Sequence, residues 1–473
     1  MQSPSISRQF AKWAFQLRYE DLSPEVIDKI KAFIMHGLTG GMLGIHSHHA
    51  KNIAALTLKE ESHLHGAHIF HHHQKATRIG AAFANSELIH ASNLFDSYRM
   101  LNHPGPVMIP VTLANAEFEN RSGKELITAL AIGYEFICRL SDDFIPSTAA
   151  RGFRPGPIYS TLGGALASGK LLGLSEDGLV STIALAANFA SGLNEGPRSG
   201  GNELLIHEPQ AARNAVFAAM MAREGIIKGA EYTIEGDAGF YNAFTGNNQG
   251  KQSYSFKNQT HVDLASITQG LGQDYKLLTL MFRMYPLAGY NQPVIELMKE
   301  MVFKHSIKAT DIEAIEVSMN WIETLYPSPE FPRHKNWQEP QPLTTTHYYA
   351  AYTAVHGSFP IAGSDINHPN APSRELDPEV LSMMKRVSLV PEKDRAMFSP
   401  SIVVNLSKGQ TFQQDYPYER MVWSLEQLSK RLLDCLPSFA GGRSGFDKLH
   451  QTVQHIDTLP NMNEVFRLMH SAP

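Results

Sequence analysis

The sequence predicts a mainly α-helical protein with a smaller α+β part. Apolar residues recur at helical spacing through much of residues 1–265 and again over about 423–469, whereas two stretches between them, IEAIEVSMN and SIVVNLSKGQTF, alternate as strands do. We therefore expect a large all-helical domain built from residues 1–265 and 406–473. The remaining residues, 266–405, are predicted to form an inserted α+β lid domain.

The composition is that of a soluble globular protein and argues against several classes of partner. The 473 residues are 43% hydrophobic and 18% charged, with a net charge of -5 and no Lys/Arg run that would follow a phosphate backbone, so nucleic acid is not expected. No stretch reaches the roughly 18 apolar residues of a membrane helix, and MQSPSISRQFAKWAFQL lacks the apolar core of a signal peptide. Cys138 and Cys435 form no CxxC pair, which predicts a cytoplasmic protein without a disulfide framework.

Helix signals begin close to the N-terminus. Ser23 offers a hydroxyl cap and Pro24 a preset first turn ahead of the periodic run VIDKIKAFIMHGL. A connection over about residues 46–73 is dense in histidine, and imidazoles are metal ligands. No supporting pattern such as HExxH accompanies them, so we interpret them as surface histidines in a polar connector and predict no metal site. From Ala76 to Leu94, small and apolar residues on one face predict a buried helix.

The segment ASNLFDSYRMLNHPGPVMIPVTLANAE, residues 91–117, is the strongest candidate for chemistry. A short apolar helix is expected to lead Asp96 into a loop that presents His103, and a second apolar helix to resume at about Val107. Pro104 disfavours the α region for His103, which places the imidazole at a helix break. A loop fixed by flanking helices is a common catalytic position, and Asp96 is near enough to orient the ring. The alternative is structural, with Asp96 capping a helix and His103 filling a turn.

Two later segments add candidate ligands and a candidate base. The Gly/Pro-punctuated loop RGFRPGPIY contains Arg151 and Arg154, whose guanidinium groups suit a carboxylate but also fit solvated loop charges. His207 stands at the start of the helical run AARNAVFAAMMAREG, where the helix dipole lowers the pKa of an imidazole and favours a neutral base. Capping or packing explains His207 equally well.

The chain changes character after Gly225. The stretch YTIEGDAGFYNAFTGNNQGKQSYSF is rich in glycine, asparagine and aromatic residues, and a second Pro/Gly-bounded loop, FRMYPLAGYNQPV, bears Arg283, Tyr285 and Tyr290. The predicted strands follow this loop. From about Trp423 the tail returns to helical periodicity and is expected to pack on the N-terminal helices, which makes the α+β part an insertion.

Five segments in register resemble the MmgE/PrpD family, which includes 2-methylcitrate dehydratase, cis-aconitate decarboxylase and iminodisuccinate epimerase. They span nearly the whole chain and are NSELIHASNLFDSYRMLNHPG, GFRPGPIYSTLGGALASGKLLGL, HEPQAARNAVFAAMMAREG, EGDAGFYNAF and MYPLAGYNQPVIELM. The resemblance implies an all-helical domain with an α+β lid, a homodimer, and a cofactor-free active site between the domains that acts beside carboxylates. It also implies functional roles for Asp96, for His103 in the family's His-Pro/Ser-Gly loop, and for His207 before the AAR helix.

The sequence departs from the family where the family handles protons. Many members carry an acid, a histidine or a lysine at positions where this chain has other residues: Phe95, Arg154, Leu204, Arg283, and Tyr290 or Asn291. Arginine stays charged and grips carboxylates bidentately but rarely exchanges protons at neutral pH. The capacity to bind carboxylates is therefore kept while the capacity for acid/base chemistry shrinks.

The expected function is a cofactor-independent lyase reaction, dehydration or decarboxylation, on a citrate-like or alkylcitrate-like polycarboxylate. We expect His103 to act as general acid or base, with Asp96, His207 and Tyr290 as further catalytic candidates. The expected substrate contacts are Ser97, Arg151, Arg154, Arg283 and Tyr285. Two alternatives remain open: an epimerase or isomerase of a dicarboxylate on the same scaffold, and a family member that has lost turnover and serves as a binding protein.

Overall fold

The computed structural model describes residues 4–199, 201–325, 345–361 and 377–470. It is mainly α-helical with an α+β part, which confirms the predicted fold class. The helices of the first half are α1 (Ile6–Gln16), α2 (Pro24–Gly44), α3 (His48–Glu61), α4 (Arg78–Ala91), α5 (Gly105–Phe118), α6 (Gly123–Ser141), α7 (Ile145–Ala150), α8 (Pro155–Leu171), α9 (Glu176–Phe189), α10 (Gly196–Ser199), α11 (His207–Arg223) and α12 (Phe240–Thr245).

The second half contains shorter helices and most of the strands. Its helices are α13 (Gln292–His305), α14 (Trp321–Leu325), α15 (Thr346–His356), α16 (Pro378–Met384), α17 (Leu425–Leu432), α18 (Gly442–Gln454) and α19 (Asn463–Met469). The strands of the whole described chain are β1 (Ser62–His68), β2 (Lys75–Ala76), β3 (Asp96–Ser97), β4 (Met281–Phe282), β5 (Ile312–Asn320), β6 (Val387–Glu392), β7 (Ser401–Leu406) and β8 (Thr411–Asp415). Within the described ranges, no helix is both long and apolar enough to cross a membrane.

Helix α8 lies at the centre of the helical part and packs against α5, α6, α9 and α11. Small residues allow this close approach, most clearly where α6 crosses α8. A Cβ atom added at Gly133 would lie 2.8 Å from the carbonyl oxygen of Gly163, and one added at Gly163 would lie 2.7 Å from that of Gly133. The run of small residues in STLGGALASG therefore sets the distance between the two helices.

The α+β part is built on a four-stranded sheet in the order β6-β5-β7-β8. β5 runs parallel to β6 and antiparallel to β7, and β7 pairs antiparallel with β8. Ile315, Val317 and Met319 alternate along β5 and are fully buried, as the sequence pattern predicts. Helix α13 packs on β7 and β8, and α15 packs on α13 and β6.

The C-terminal helices contact the N-terminal ones. Helices α17 and α18 both pack against α2. The backbone N–H of Leu425 donates to Asp28 at 3.0 Å, and Lys31 forms a 2.6 Å ion pair with Asp457. The boundaries proposed for the lid stay a prediction, and residues 326–344 and 362–376 of it lie outside the described residues.

Two expectations about the N-terminal half were wrong. The histidine-dense connection is helix α3 followed by strand β1, because Ala50, Ala54 and Thr57 form a buried helical stripe between the polar residues. The helix expected to lead into Asp96 ends earlier, at Ala91, and Asp96 instead begins the short strand β3. A strand of two residues leaves no periodic pattern for sequence analysis to detect.

We predict that the fold loses stability below about pH 6.5 through His36, a buried residue of α2 whose Nε2 lies 3.2 Å from the carbonyl oxygen of Arg283. Burial disfavours the charged ring and lowers the pKa of His36 from 6.5 to about 3. Between these two values the unfolded chain binds a proton that the folded chain does not, so stability falls as the pH falls. Each pH unit in that window costs roughly 1.4 kcal/mol for one such group.

Urea unfolding at a series of pH values measures this dependence. His36→Gln keeps a donor towards the Arg283 carbonyl group but no titrating ring, so its free energy of unfolding should depend less steeply on pH than that of the wild type. His63→Gln, at an exposed position, is the matched control and should keep the wild-type slope. Equal slopes for His36→Gln and the wild type would contradict the prediction.

Candidate active site

A short antiparallel pairing between β3 and β4 brings the predicted functional segments together. Asp96 pairs with Phe282 and Ser97 with Met281. Arg283, the residue that follows β4, donates its backbone N–H to the carbonyl group of Phe95 at 2.8 Å. The loop that contains His103 and the loop that contains Arg283 thus lie side by side.

The carboxylate of Asp96 is an anchor for helix α5. It is buried, and its Oδ1 accepts a 2.7 Å hydrogen bond from the N–H of Gly105, the first residue of α5, while Oδ2 accepts one of 2.6 Å from the hydroxyl of Tyr134. Burial raises the pKa of Asp96 to about 6, against the opposing effect of these two donors. Both oxygens thus have donors of their own, and the imidazole of His103 contacts the carbonyl oxygen of Asp96 instead of the expected carboxylate.

His103 is held instead by the main chain of Asp96. Its Nδ1 lies 3.1 Å from the carbonyl oxygen of Asp96. A carbonyl oxygen only accepts, so Nδ1 carries the proton and Nε2 carries the lone pair. Burial, followed by the charges of Arg283 and Arg154, holds the pKa of His103 well below its usual value. The ring is therefore a neutral imidazole whose Nε2 carries the lone pair.

Arg283 is a buried cation held by neutral groups. Its side chain donates from Nε to the carbonyl oxygen of Asn93 at 3.0 Å and from Nη1 to that of Leu287 at 2.7 Å, and its guanidinium lies 3.8 Å from the ring centroid of Phe95. In the part of the chain that the structure describes, no carboxylate forms an ion pair with it. Burial and then the charge of Arg154 lower the pKa of Arg283 to about 9. A buried guanidinium without a carboxylate in contact is a candidate binding site for an anion.

A second guanidinium lies close by but already has a carboxylate partner. Arg154 sits at the N-terminus of α8, where its Nη1 donates to the carbonyl oxygen of Leu204 at 3.2 Å and its Nη2 lies 2.9 Å from Oε1 of Glu208. Glu208 is fully buried in the first turn of α11, and its Oε2 lies 3.5 Å from Nε2 of His90. Arg154 is therefore part of a buried charged cluster.

Phe95 joins this cluster to His103. Its ring stacks on His90 with centroids 5.2 Å apart and packs at an angle against His103, also at 5.2 Å. The guanidinium of Arg283 covers the ring as well. The phenyl group thus fixes the relative positions of a cation and two imidazoles, at a position where many family members carry an acid.

Other predicted site residues have structural contacts of their own. The hydroxyl of Ser97 donates to the carbonyl oxygen of Arg99 at 3.0 Å, and that of Tyr285 donates to Glu296 at 2.7 Å. Arg151 is exposed, and its Nε donates to the carbonyl oxygen of Ala243 at 3.1 Å. These contacts use the groups that were expected to meet the substrate, and the assigned roles stay predictions.

Two predicted catalytic residues remain: His207, near the cluster of Arg154 and Glu208, and Tyr290, in the loop of Arg283. His207 is the first residue of α11, and burial, followed by the charge of Arg154, lowers its pKa. Its Nδ1 is buried without a hydrogen-bond partner among the described residues. Tyr290 is buried in the turn that precedes α13, in the same loop as Arg283. The catalytic roles expected for His207 and Tyr290 also stay predictions.

Sequence reasoning missed Glu208, His90 and Glu87. Glu87 is fully buried, with one oxygen 2.8 Å from His49 and the other 3.7 Å from His90. The available signal was that α4 and α11 each contain a single acidic residue, Glu87 and Glu208, in a helix rich in alanine. An unpaired acid in an apolar helix indicates a buried charge with a partner elsewhere in the fold.

The described residues offer no site for a metal ion, since no three His, Cys, Asp or Glu side chains among them are grouped as ligands. The histidines that the sequence concentrates over residues 46–73 are spread over the turn before α3, helix α3, strand β1 and the turn after it. The expectation of a metal-free and cofactor-free protein stays a prediction.

The described chain is mainly α-helical and contains a buried cluster of charged side chains beside an imidazole. The chain belongs to the MmgE/PrpD family, whose N-terminal domain matches residues 8–253. It is 25% identical over 357 residues to the cis-aconitate decarboxylase-like protein oryM of Aspergillus oryzae, a match that covers 72% of this chain and 70% of that protein. It is 25% identical to a cis-aconitate decarboxylase of Aspergillus terreus (63% and 60% covered) and 28% identical to that of Homo sapiens (51% and 50% covered).

We predict that Asp96 is required for the stability of the site. Asp96→Ala leaves the N–H of Gly105 and the hydroxyl of Tyr134 buried without an acceptor, which should lower the free energy of unfolding by about 3 kcal/mol. Asp96→Asn is the matched control, because its amide oxygen still accepts from Gly105 and the loss should be smaller. Urea unfolding measures both variants. A free energy for Asp96→Ala within about 0.5 kcal/mol of the wild type would contradict the anchoring role.

Proposed function

We propose that the protein is a cofactor-independent enzyme of lyase type that acts on a citrate-like or aconitate-like carboxylate by proton transfer beside a carboxylate group. The observation that carries this proposal is the uncompensated guanidinium of Arg283 next to the neutral imidazole of His103. One group supplies a fixed positive charge for a carboxylate, and the other supplies a base for the carbon beside it. The names of the relatives support the same substrate chemistry.

Substrate binding begins at Arg283 in this proposal. Two main-chain carbonyl groups and the ring of Phe95 fix its guanidinium before any ligand arrives, so little conformational entropy is lost on binding. Nη2 is not needed for either carbonyl bond and is available to a carboxylate. A charge-assisted hydrogen bond of this kind contributes about 1.5 to 3 kcal/mol.

His103 carries the proton in either lyase reaction. For dehydration, Nε2 takes a proton from the carbon beside the carboxylate, and the electron pair of that C–H bond forms the double bond as the C–O bond breaks. The departing hydroxyl takes the proton from the imidazolium and leaves as water, which returns His103 to its neutral form. For decarboxylation, the C–C bond breaks first and the enolate-like carbon takes its proton from the imidazolium. A bound carboxylate offsets Arg283 and thereby raises the pKa of His103, which makes the ring able to donate as well as accept.

The arginines of the site bind rather than exchange protons. Arg154 and Arg283 stand where the family resemblance places a histidine and a lysine, and a guanidinium rarely loses a proton at neutral pH. His103 is then the principal proton carrier beside Arg283. The homodimer and the cytoplasmic location implied earlier remain part of the proposal.

We predict that His103→Gln lowers turnover by ~10²- to 10⁴-fold while leaving the fold intact, because glutamine fills the same space without a basic nitrogen. Incubation of the protein with citrate-like and aconitate-like acids that carry two or three carboxylates, in deuterated water and followed by mass spectrometry and NMR of the acids, measures the reaction. The expected result for the wild type is loss of water, or loss of carbon dioxide with one deuterium on the carbon that takes up the proton.

His207→Gln is the matched control, since it changes a half-buried histidine near the same cluster. It should retain more turnover than His103→Gln. A folded His103→Gln variant with more than about a tenth of the wild-type rate would contradict the assignment and favour His207. Deuterium exchange without loss of water or carbon dioxide would support the isomerase alternative, and no exchange with any acid would support a binding protein.

A further inference from the structure

We infer that Glu208 is a specificity-determining residue, which occupies Arg154 in place of one substrate carboxylate and makes the site selective for a dicarboxylate over a tricarboxylate. The inference rests on the proposed function and narrows its substrate class to citrate-like or aconitate-like acids in which a neutral group replaces one carboxylate. Citrate and cis-aconitate themselves carry three carboxylates and should therefore bind less well than such a dicarboxylate. It starts from the difference between the two buried guanidinium groups. Arg283 has no carboxylate partner in the described residues, whereas Arg154 lies 2.9 Å from Oε1 of Glu208.

Glu208 is fixed in this position by its surroundings. It is 0% exposed, and its Oε2 lies 3.5 Å from Nε2 of His90. It belongs to the first turn of α11, where the helix dipole favours a negative charge. A Cβ atom added at Gly156 would lie 3.1 Å from Oε1, so Gly156 provides the space in which the carboxylate lies. The carboxylate is therefore built into the site and is not a mobile surface group.

Arg154 in turn needs this carboxylate. Arg154 is the N-cap residue of α8, and the positive end of the helix dipole disfavours a cation there. Arg283 is a second positive charge in the same cluster, where the charge of Arg154 lowers the pKa of Arg283 and that of Glu208 raises it. Glu208 therefore acts on both arginines but forms its ion pair with Arg154. Arg283 is left as the guanidinium without a carboxylate in contact.

The charge balance sets the number of carboxylates that the site accepts. A ligand carboxylate at Arg283 meets a cation that has no counterion. A further carboxylate near Arg154 meets Glu208 at a distance of a few ångströms in a buried environment, and like charges at such distances weaken binding by roughly 10-fold or more. Neither oxygen of Glu208 accepts a hydrogen bond of good geometry from a described residue, which leaves it able to accept one from a neutral donor of the ligand.

Isothermal titration of the full-length protein with glutarate and with tricarballylate tests the inference. The two acids share a chain and differ by the central carboxylate, and both are measured at equal ionic strength because charge pairs are screened by salt. The wild type should bind glutarate more tightly. Glu208→Gln should bind tricarballylate roughly 10-fold or more tightly than the wild type does, with glutarate changed by less than about 3-fold.

Three further variants make the test specific. Glu119→Gln removes a carboxylate that pairs with Arg78 and Arg223 elsewhere in the fold, and it should keep the wild-type preference. Glu208→Asp keeps the charge and should also keep the preference, which provides a measurement if Glu208→Gln folds poorly. Arg283→Met removes the unpaired cation and should weaken the binding of both acids.

The outcomes separate the inference from the function on which it rests. Glutarate binding together with an unchanged affinity of Glu208→Gln for tricarballylate would overturn the role of Glu208 alone. Loss of the preference in Glu208→Asp would overturn it as well, since the charge is still present. Failure of both acids to bind the wild type and Glu208→Gln, or binding that Arg283→Met leaves unchanged, would overturn the proposed carboxylate site itself.

Discussion

The pairing of β3 with β4 is the constraint on which the site depends. It joins two segments that are far apart in the sequence, Asp96–Ser97 and Met281–Phe282, and it is extended by the bond from the N–H of Arg283 to the carbonyl group of Phe95. The entropy of closing such a long loop grows only slowly with its length, so a short pairing supported by packing is sufficient. The cation at 283 is placed beside the imidazole at 103 because the backbones of their segments are paired.

Neutral groups hold two buried cations at and near the site, Arg283 and Lys29. Carbonyl oxygens hold Arg283, and a carbonyl oxygen of Leu280 accepts a 2.7 Å hydrogen bond from buried Lys29, whose pKa falls to about 7 because burial disfavours its charge. Neighbouring cations and burial together keep His103 neutral. The electrostatic cost of this arrangement decreases when an anion binds, which links the binding of a carboxylate to the basicity of the ring.

Most of the fold class followed from periodicity, whereas the arrangement of the site did not. The strand β5 and the helices α4, α6 and α11 have clear patterns, and Pro104 correctly indicated a helix break at His103. The hydrogen bond from the N–H of Gly105 to the carboxylate of Asp96 has no sequence signature, since it depends on the tertiary placement of a loop. The same holds for Glu208, because the distance of its carboxylate from Arg154 is set by how α8 and α11 pack.

The central claim is that a neutral His103 lies beside a buried cation that lacks a counterion, and proton uptake on ligand binding tests it most directly. Titration calorimetry with glutarate at about pH 6, in buffers with different ionisation enthalpies, measures the number of protons taken up. We predict net uptake by the wild type, because the bound carboxylate raises the pKa of His103, and a loss of that uptake in His103→Gln. A binding enthalpy that does not depend on the buffer, or equal uptake by His103→Gln, would contradict the account.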